Sequence, residues 1–156
     1  MSREILDFNF TDLVFVYGSL KDGYWNNGFL ATSELMYESE TEARFILTDV
    51  GFPYAIPEEV LGSYYDLSSF EEMTPAPVRG EVWRLESPRV LRNLDRLEGT
   101  PTHYHRVPTI IMGVPVWMYQ QYDDQVLAYS EICPIVNGAY EWHETSRLPA
   151  TTAFLG

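Results

Sequence analysis

Lysine and cysteine are almost absent from this 156-residue chain, for Lys21 and Cys133 each occur once. A lone cysteine permits no internal disulfide, so stability must come from burial and hydrogen bonding, and a reducing, cytoplasmic setting is the expectation. Basic residues number 10 against 23 acidic ones, for a formal net charge of −13. That balance speaks against nucleic acid and anionic membrane as partners, because phosphate contacts require clustered Lys and Arg. The acidity itself reads as solubility. No apolar run is long enough to span a bilayer, and the opening "MSREILDFNF" lacks the apolar segment of a signal peptide.

What is abundant is aromatic: 11 Tyr, 8 Phe and 4 Trp, which suits strands and pocket walls and favours a β-rich chain. The length fits one domain spanning 1–156. Leu13 to Tyr17 reads as a buried strand closed by Gly18, and "KDGYWNNGFL" as a loop with a short helical turn. "ELMYESE" and "EARFILTDV" are expected to pair with each other around Thr41. Pro53 and Pro57 argue against a central strand in "GFPYAIPEEV". Residues 62–77 form an acidic excursion, and "VRGEVWRLE" resumes as a strand with a bulge near Gly80. Ser87 and Pro88 start a helix whose stripe is Val90, Leu91, Leu94 and Leu97, and Gly99 ends it. "YHRVPTIIM" and "VPVWMYQQY" form a hairpin about Gly113. From Asp123 the periodicity is weak, and "SRLPATTAFLG" reads as a loosely docked tail. Neither a repeat nor a low-complexity segment is present.

Two local features carry chemistry. In "VFVYGSL", a buried strand runs into a glycine and a small hydroxyl residue, so backbone N–H groups come free where a ligand's charged end could sit; an ordinary turn is the competing reading. Glu98 stands at the C-terminal end of its helix, facing the negative end of the dipole. That placement disfavours the charged carboxylate and would poise it as a general base or acid. A solvated glutamate at a fraying helix end is the bland alternative.

The ordered set "VFVYGSL", Gly23, Asn26, Leu30, "GFPY", "VRGEVWRL", "LDRLEGTPTHYHR" and "VWMYQ" resembles the gamma-glutamylcyclotransferase-like family, which includes gamma-glutamylamine cyclotransferases and AIG2-like proteins. The resemblance covers roughly residues 13–120, leaving 123–156 as a C-terminal extension. It implies an α+β fold built on a small mixed β-barrel with flanking helices. It also implies release of an amine or peptide from a small gamma-glutamyl compound with formation of 5-oxoproline, without metal or organic cofactor. The family's glutamate maps onto Glu98 as the catalytic group. Its loop maps onto Tyr17, Gly18, Ser19 and Leu20, and a late barrel tyrosine onto Tyr119, as substrate-binding residues. Tyr104 and Arg106 follow the glutamate in the family's manner, with Arg106 open to an ion-pair or a substrate role.

The expected partner is thus a small gamma-glutamyl molecule, and a homo-oligomer is compatible with the chain. Three bland assignments accompany this. His103 and His105 in "HYH" lack a third metal ligand at sensible spacing and read as surface or barrel-end residues. Cys133 has no base nearby to make it a nucleophile. Trp25 and Asn26 shape the mouth of the pocket, while Trp83 and Trp117 are core. A cavity that holds a carboxylate-bearing metabolite without turnover is the alternative function, and a partner-binding role for the acidic 62–77 segment is a third.

Overall fold

The computed structural model describes residues 3–61 and 73–144. Its centre is a five-stranded mixed sheet in the order β2 (Glu34–Glu40), β5 (Arg79–Arg84), β1 (Leu13–Val16), β7 (Val114–Gln120) and β6 (His105–Ile111). A second sheet runs β4 (Pro53–Pro57), β3 (Phe45–Asp49), β8 (Glu131–Ile132), and a hairpin joins β9 (Ile135–Val136) to β10 (Ala139–Tyr140). Two α-helices, α1 (Arg3–Phe10) and α2 (Pro88–Glu98), complete an α+β fold. Single links tie the sheets together, such as the Gln121 N–H donating to the Ala55 carbonyl at 2.9 Å. The described strands nevertheless form separate sheets and do not close into the barrel that the family resemblance implied.

Sequence and structure agree where one local signal dominates. β1 pairs antiparallel with β5 and parallel with β7. A strand covered in this way is apolar throughout, which explains why Val14, Phe15 and Val16 are all buried instead of alternating. In the β6–β7 hairpin Met112 (φ 51°) and Gly113 (φ 80°) both take positive φ. That is the requirement of a type I′ turn. α2 starts with Pro88 and ends in a left-handed Gly99 (φ 65°, ψ 31°). There the Gly99 and Thr100 N–H groups donate to the Arg96 and Asp95 carbonyls, a Schellman closure. Ser87 caps through its backbone only, for its carbonyl accepts the Val90 N–H while its side chain makes no capping bond.

Several expectations fail for identifiable reasons. β2 and β3 do not pair with each other; β2 lies beside β5, and β3 between β4 and β8. The exclusion of a central strand by Pro53 and Pro57 does hold: β4 is an edge strand with the prolines at its two ends. The bulge lies on β2, where the register shifts between Leu35 and Tyr37, and not at Gly80. α1 had no sequence signal that stood out, and its Phe8 packs on the core while Phe10 meets the Trp117 ring at 5.4 Å. After Asp123 the chain forms a 3₁₀ turn at Asp124–Ala128 and three short strands, too short to show periodicity. Most of the acidic excursion (62–72) and the whole of the tail "SRLPATTAFLG" (146–156) lie outside the described residues.

Gly80 is required for a different reason from the one expected. A Cβ built there would come within 2.3 Å of the Val16 carbonyl oxygen and 2.7 Å of the Phe15 ring, both in the sheet's middle strand. Gly80→Ala should therefore destabilise the protein by about 1–3 kcal/mol through overpacking. The Cβ of Gly28→Ala would meet nothing within 4 Å. That substitution should change stability by less than about 1 kcal/mol. Urea unfolding of the two variants beside the parent checks the contrast.

Candidate active site

Strand registers decide where Glu98 lands. β5 ends at Arg84, paired with Leu13 at the start of β1, and β6 begins at His105, paired with Gln120 at the end of β7. β7 runs parallel to β1, so the chain must travel from the start of β1 to the far end of the sheet between residues 84 and 105. α2 makes that journey. It is 11 residues long, while β1 has only 4. At helical rise α2 spans roughly 16 Å. At strand rise β1 spans roughly 13 Å, so the helix is long enough to carry its C-terminus past the strand. Val90, Leu91 and Leu94 hold it against Val14, Val16, Leu20 and Leu30 in one core cluster. Glu98 consequently ends beside the loop that leaves β1.

Glu98 is completely buried, at 0% exposure. Three tyrosines surround it, from three different elements: Tyr17 just after β1, Tyr104 just before β6, and Tyr119 in β7. Burial first, and then the negative charge of Glu98, push the Tyr17 and Tyr104 phenols well above their ordinary range. Tyr119 is raised by burial and then by Asp95, with Glu98 contributing less. All three are neutral O–H groups whose protons are already donated. Tyr17 gives its proton to the Tyr119 carbonyl at 2.5 Å, Tyr104 to the Pro53 carbonyl at 2.7 Å, and Tyr119 to Asp95 Oδ1 at 2.7 Å.

The Tyr17–Leu20 loop is fixed from its outer side. Asn26 donates its backbone N–H to the Ser19 carbonyl at 2.9 Å and its side-chain amide to Ser19 Oγ at 3.1 Å. Asn27 donates to the Leu20 carbonyl at 2.9 Å, and the Lys21 N–H closes the turn onto the Gly18 carbonyl at 3.1 Å. Asn26 thus holds the loop, while Trp25 at its mouth is 37% exposed. Of the predicted site residues, Tyr17 and Tyr119 are joined by a hydrogen bond and both feel the charge of Glu98, while Gly18, Ser19 and Leu20 follow Tyr17 in the loop. All are buried.

Asp95 was passed over by sequence reasoning, although its spacing of three from Glu98 puts both on one helix face. It accepts the Tyr119 hydroxyl and both arms of Arg106, Nε at 2.7 Å and Nη2 at 3.1 Å. Arg106 also reaches Asp7 at 2.9 Å and lies 4.4 Å from the centre of the Trp117 ring, so its role is structural. The histidines have aromatic partners: His103 Nε2 lies 3.1 Å from the Tyr54 hydroxyl, and His105 stacks on Tyr122 with ring centres 4.5 Å apart. Trp83 and Trp117 are core as expected, at 6% and 8% exposure. No group of three metal-binding side chains occurs among the described residues.

Two open cavities among the described residues lie elsewhere. One of about 560 Å³ is walled by Lys21, Glu38, Arg79, Glu81, Glu141 and His143. Another of about 460 Å³ lies over Asp95, Arg96 and Arg106 on the outer face of α2. Neither of these two is lined by Glu98. In the larger cavity Arg79 is held in ion pairs with Glu40 and Glu141, and the fully buried Glu98 is the stronger candidate.

Comparison with known proteins identifies the family of the chain. The family described as "Gamma-glutamyl cyclotransferase, AIG2-like" matches residues 14–141, and the chain belongs to that family. A provisionally named gamma-glutamylcyclotransferase of Vibrio cholerae is 32% identical over 111 residues, covering 70% of this chain and 83% of that protein. A second protein with the same provisional name, from Methanocaldococcus jannaschii, is 26% identical over 114 residues, covering 69% and 82%. In fold the chain is similar to the crystal structure of an AIG2-like protein from Mus musculus. The TM-score is 0.58 at 19% identity, over 86% of this chain and 97% of the other. No helix among the described residues is long and apolar enough to cross a membrane.

Cys133 is 7% exposed, and burial, followed by the charge of Asp49, pushes its thiol up to about 12. The folded protein therefore keeps this proton at pH values where an unfolded thiol, with a pKa of about 8.5, loses it. A raised folded value stabilises the native state below the unfolded pKa, and that contribution falls away as pH rises through about 8.5 towards the folded value. The native thiol should resist Ellman's reagent at mildly alkaline pH and react at once in urea. Rapid labelling of the folded protein would contradict the burial described here.

Proposed function

We propose that this chain is a gamma-glutamyl cyclotransferase-like enzyme that converts a small gamma-glutamyl amine or peptide to 5-oxoproline and the free amine, with Glu98 as its acid and base. The observation that carries the reading is a fully buried carboxyl at a helix C-terminus, converging with the Gly-Ser loop after the sheet's middle strand. Family membership supports the reaction class.

The substrate brings its own nucleophile. Its α-amino group must lose a proton before its nitrogen can attack the γ-carbonyl carbon, and Glu98 takes that proton. The new C–N bond closes a five-membered ring and puts negative charge on the carbonyl oxygen. Backbone N–H groups of Gly18 to Leu20 stabilise that charge or hold the α-carboxylate. Collapse of the tetrahedral carbon breaks the bond to the leaving nitrogen, to which Glu98 returns the proton. Ring closure also releases the second proton of the attacking nitrogen, which Glu98 passes to the departed amine, so the products are 5-oxoproline with a single lactam N–H and an ammonium ion, and atoms and charge balance without a cofactor. Tyr17, whose proton is committed to Tyr119, frames the site and does not carry protons. Tyr119 lines it.

Mass spectrometry of 5-oxoproline released from a panel of gamma-glutamyl amines and peptides tests the reading. The parent should release product from at least one class. Glu98→Gln, which removes the base and little volume, should keep the fold and lose turnover by about 10²–10⁴-fold. Equal turnover in a well-folded Glu98→Gln protein would remove Glu98 from the mechanism. Stabilisation by 5-oxoproline with no release from any substrate would make the Glu98 region a binding site instead.

A further inference from the structure

We infer that Asp95 is a positioning residue for Glu98, acting through Tyr119 and Arg106; the inference rests on the proposed role of Glu98. Arg106 and Tyr119 are directly paired across the β6–β7 hairpin. Both side chains converge on one carboxylate of α2. Asp95 Oδ1 accepts the Tyr119 hydroxyl and Arg106 Nε, each at 2.7 Å, and Asp95 Oδ2 accepts Arg106 Nη2 at 3.1 Å. A forked, charge-assisted pair fixes orientation as well as distance, which a single contact to a point charge does not. Arg106 is itself braced by Asp7 Oδ2 at 2.9 Å and by the Trp117 ring beneath it. Its side chain is only 11% exposed. The pair is thereby partly shielded from the solvent that weakens surface ion pairs, with the Asp95 side chain 21% exposed.

The consequence for the site is geometric. Asp95 and Glu98 are three residues apart on a helix, so locking one fixes the rotation of the turn that carries the other. The Asp95 carbonyl also accepts the Thr100 N–H at 3.1 Å, and the Glu98 carbonyl accepts the Tyr104 N–H at 3.4 Å, which ties the helix end to the start of β6. Tyr119 extends the lock to the other side of the site. Its hydroxyl holds Asp95 while its carbonyl receives the Tyr17 phenol, so one residue sets the spacing between α2 and the loop after β1. A carboxyl that must meet an amine and then a leaving group loses rate steeply when displaced by an ångström. The lock supplies the stiffness that a helix end, with its frayed last carbonyls, would otherwise lack.

Asp95→Asn removes the charge and the fork while keeping size, and Arg106→Lys keeps the charge and removes the fork. Arg96→Ala, on the exposed side of the same turn, is the control. The first readout is carbon-13 NMR titration of the Glu98 carboxyl, assigned by its disappearance in Glu98→Gln, which needs no turnover. Tyr17, Tyr104 and Tyr119 face that carboxyl from their three elements, with Asp95 and Arg106 behind Tyr119. Asp95→Asn and Arg106→Lys, each checked for folding by circular dichroism, should move the midpoint by at least about half a pH unit, a change in differential stabilisation of the charged form. The second readout is kinetic: kcat should fall by about 10²-fold in Asp95→Asn with KM little changed. Asp95→Asn combined with Tyr119→Phe should be no slower than the worse single variant, because the two residues act as one unit. Titration curves of Asp95→Asn and Arg106→Lys that overlay the parent's would overturn the inference, whichever way activity moved. Absence of 5-oxoproline release by the parent would instead overturn the proposed reaction and leave the titration to decide the role of Asp95.

Discussion

The central position of β1 constrains where this chain can hold a ligand. With β5 hydrogen-bonded on one side and β7 on the other, β1 has no free edge. Its only exit towards a ligand is the Tyr17–Leu20 loop at its C-terminal end. β7 runs parallel to it and ends at the same level, which brings Tyr119 and Gln120 beside that loop. A parallel pairing requires a long crossover, and α2 lies within it. The crossover's length and the registers at its two ends then set Glu98 against the loop. A four-residue strand therefore organises a site whose parts come from α2, β7 and the segment before β6.

Burying four ionisable side chains together would be unfavourable if more than one were charged. The arrangement avoids this by holding Tyr17, Tyr104 and Tyr119 as neutral phenols, each with its proton already given to a specific acceptor. A phenol so committed makes a poor proton shuttle and a good structural strut. Glu98 is then the group among these four suited to exchange a proton with substrate. The same logic separates the two carboxylates of the helix end: Asp95 is held by Arg106 and cannot serve as a base without losing its charge-assisted pair, while Glu98 lies against tyrosines.

How much of this could be read from sequence varied with how local the cause was. The buried strand before Gly18, the helix from Pro88 to Glu98 and the hairpin at Gly113 each carry a complete local signal, and each has the bounds expected of it within about a residue. The candidate site residues were named together by one ordered set of motifs, and of these Tyr17 and Tyr119 are joined by a hydrogen bond in the fold. Strand partners were not legible, since nothing in "ELMYESE" or "EARFILTDV" states whether they join each other or separate sheets. Gly80 was misjudged because its requirement comes from Val16 and Phe15, far earlier in the sequence. Asp95 escaped notice for the same reason, as its partners Arg106 and Tyr119, with Asp7 behind them, converge only once the sheet exists.

The proposed function requires chemistry at the buried convergence of the β1 loop and Glu98, and not in the open cavity beside Lys21 and Arg79. A crystal structure with 5-oxoproline bound decides between the two places. The product's carboxylate or carbonyl oxygen is expected on the backbone N–H groups of Gly18 to Leu20, with its ring nitrogen within hydrogen-bond distance of Glu98. Product held instead among Lys21, Arg79 and His143, with the loop after β1 and Glu98 untouched, would contradict that placement.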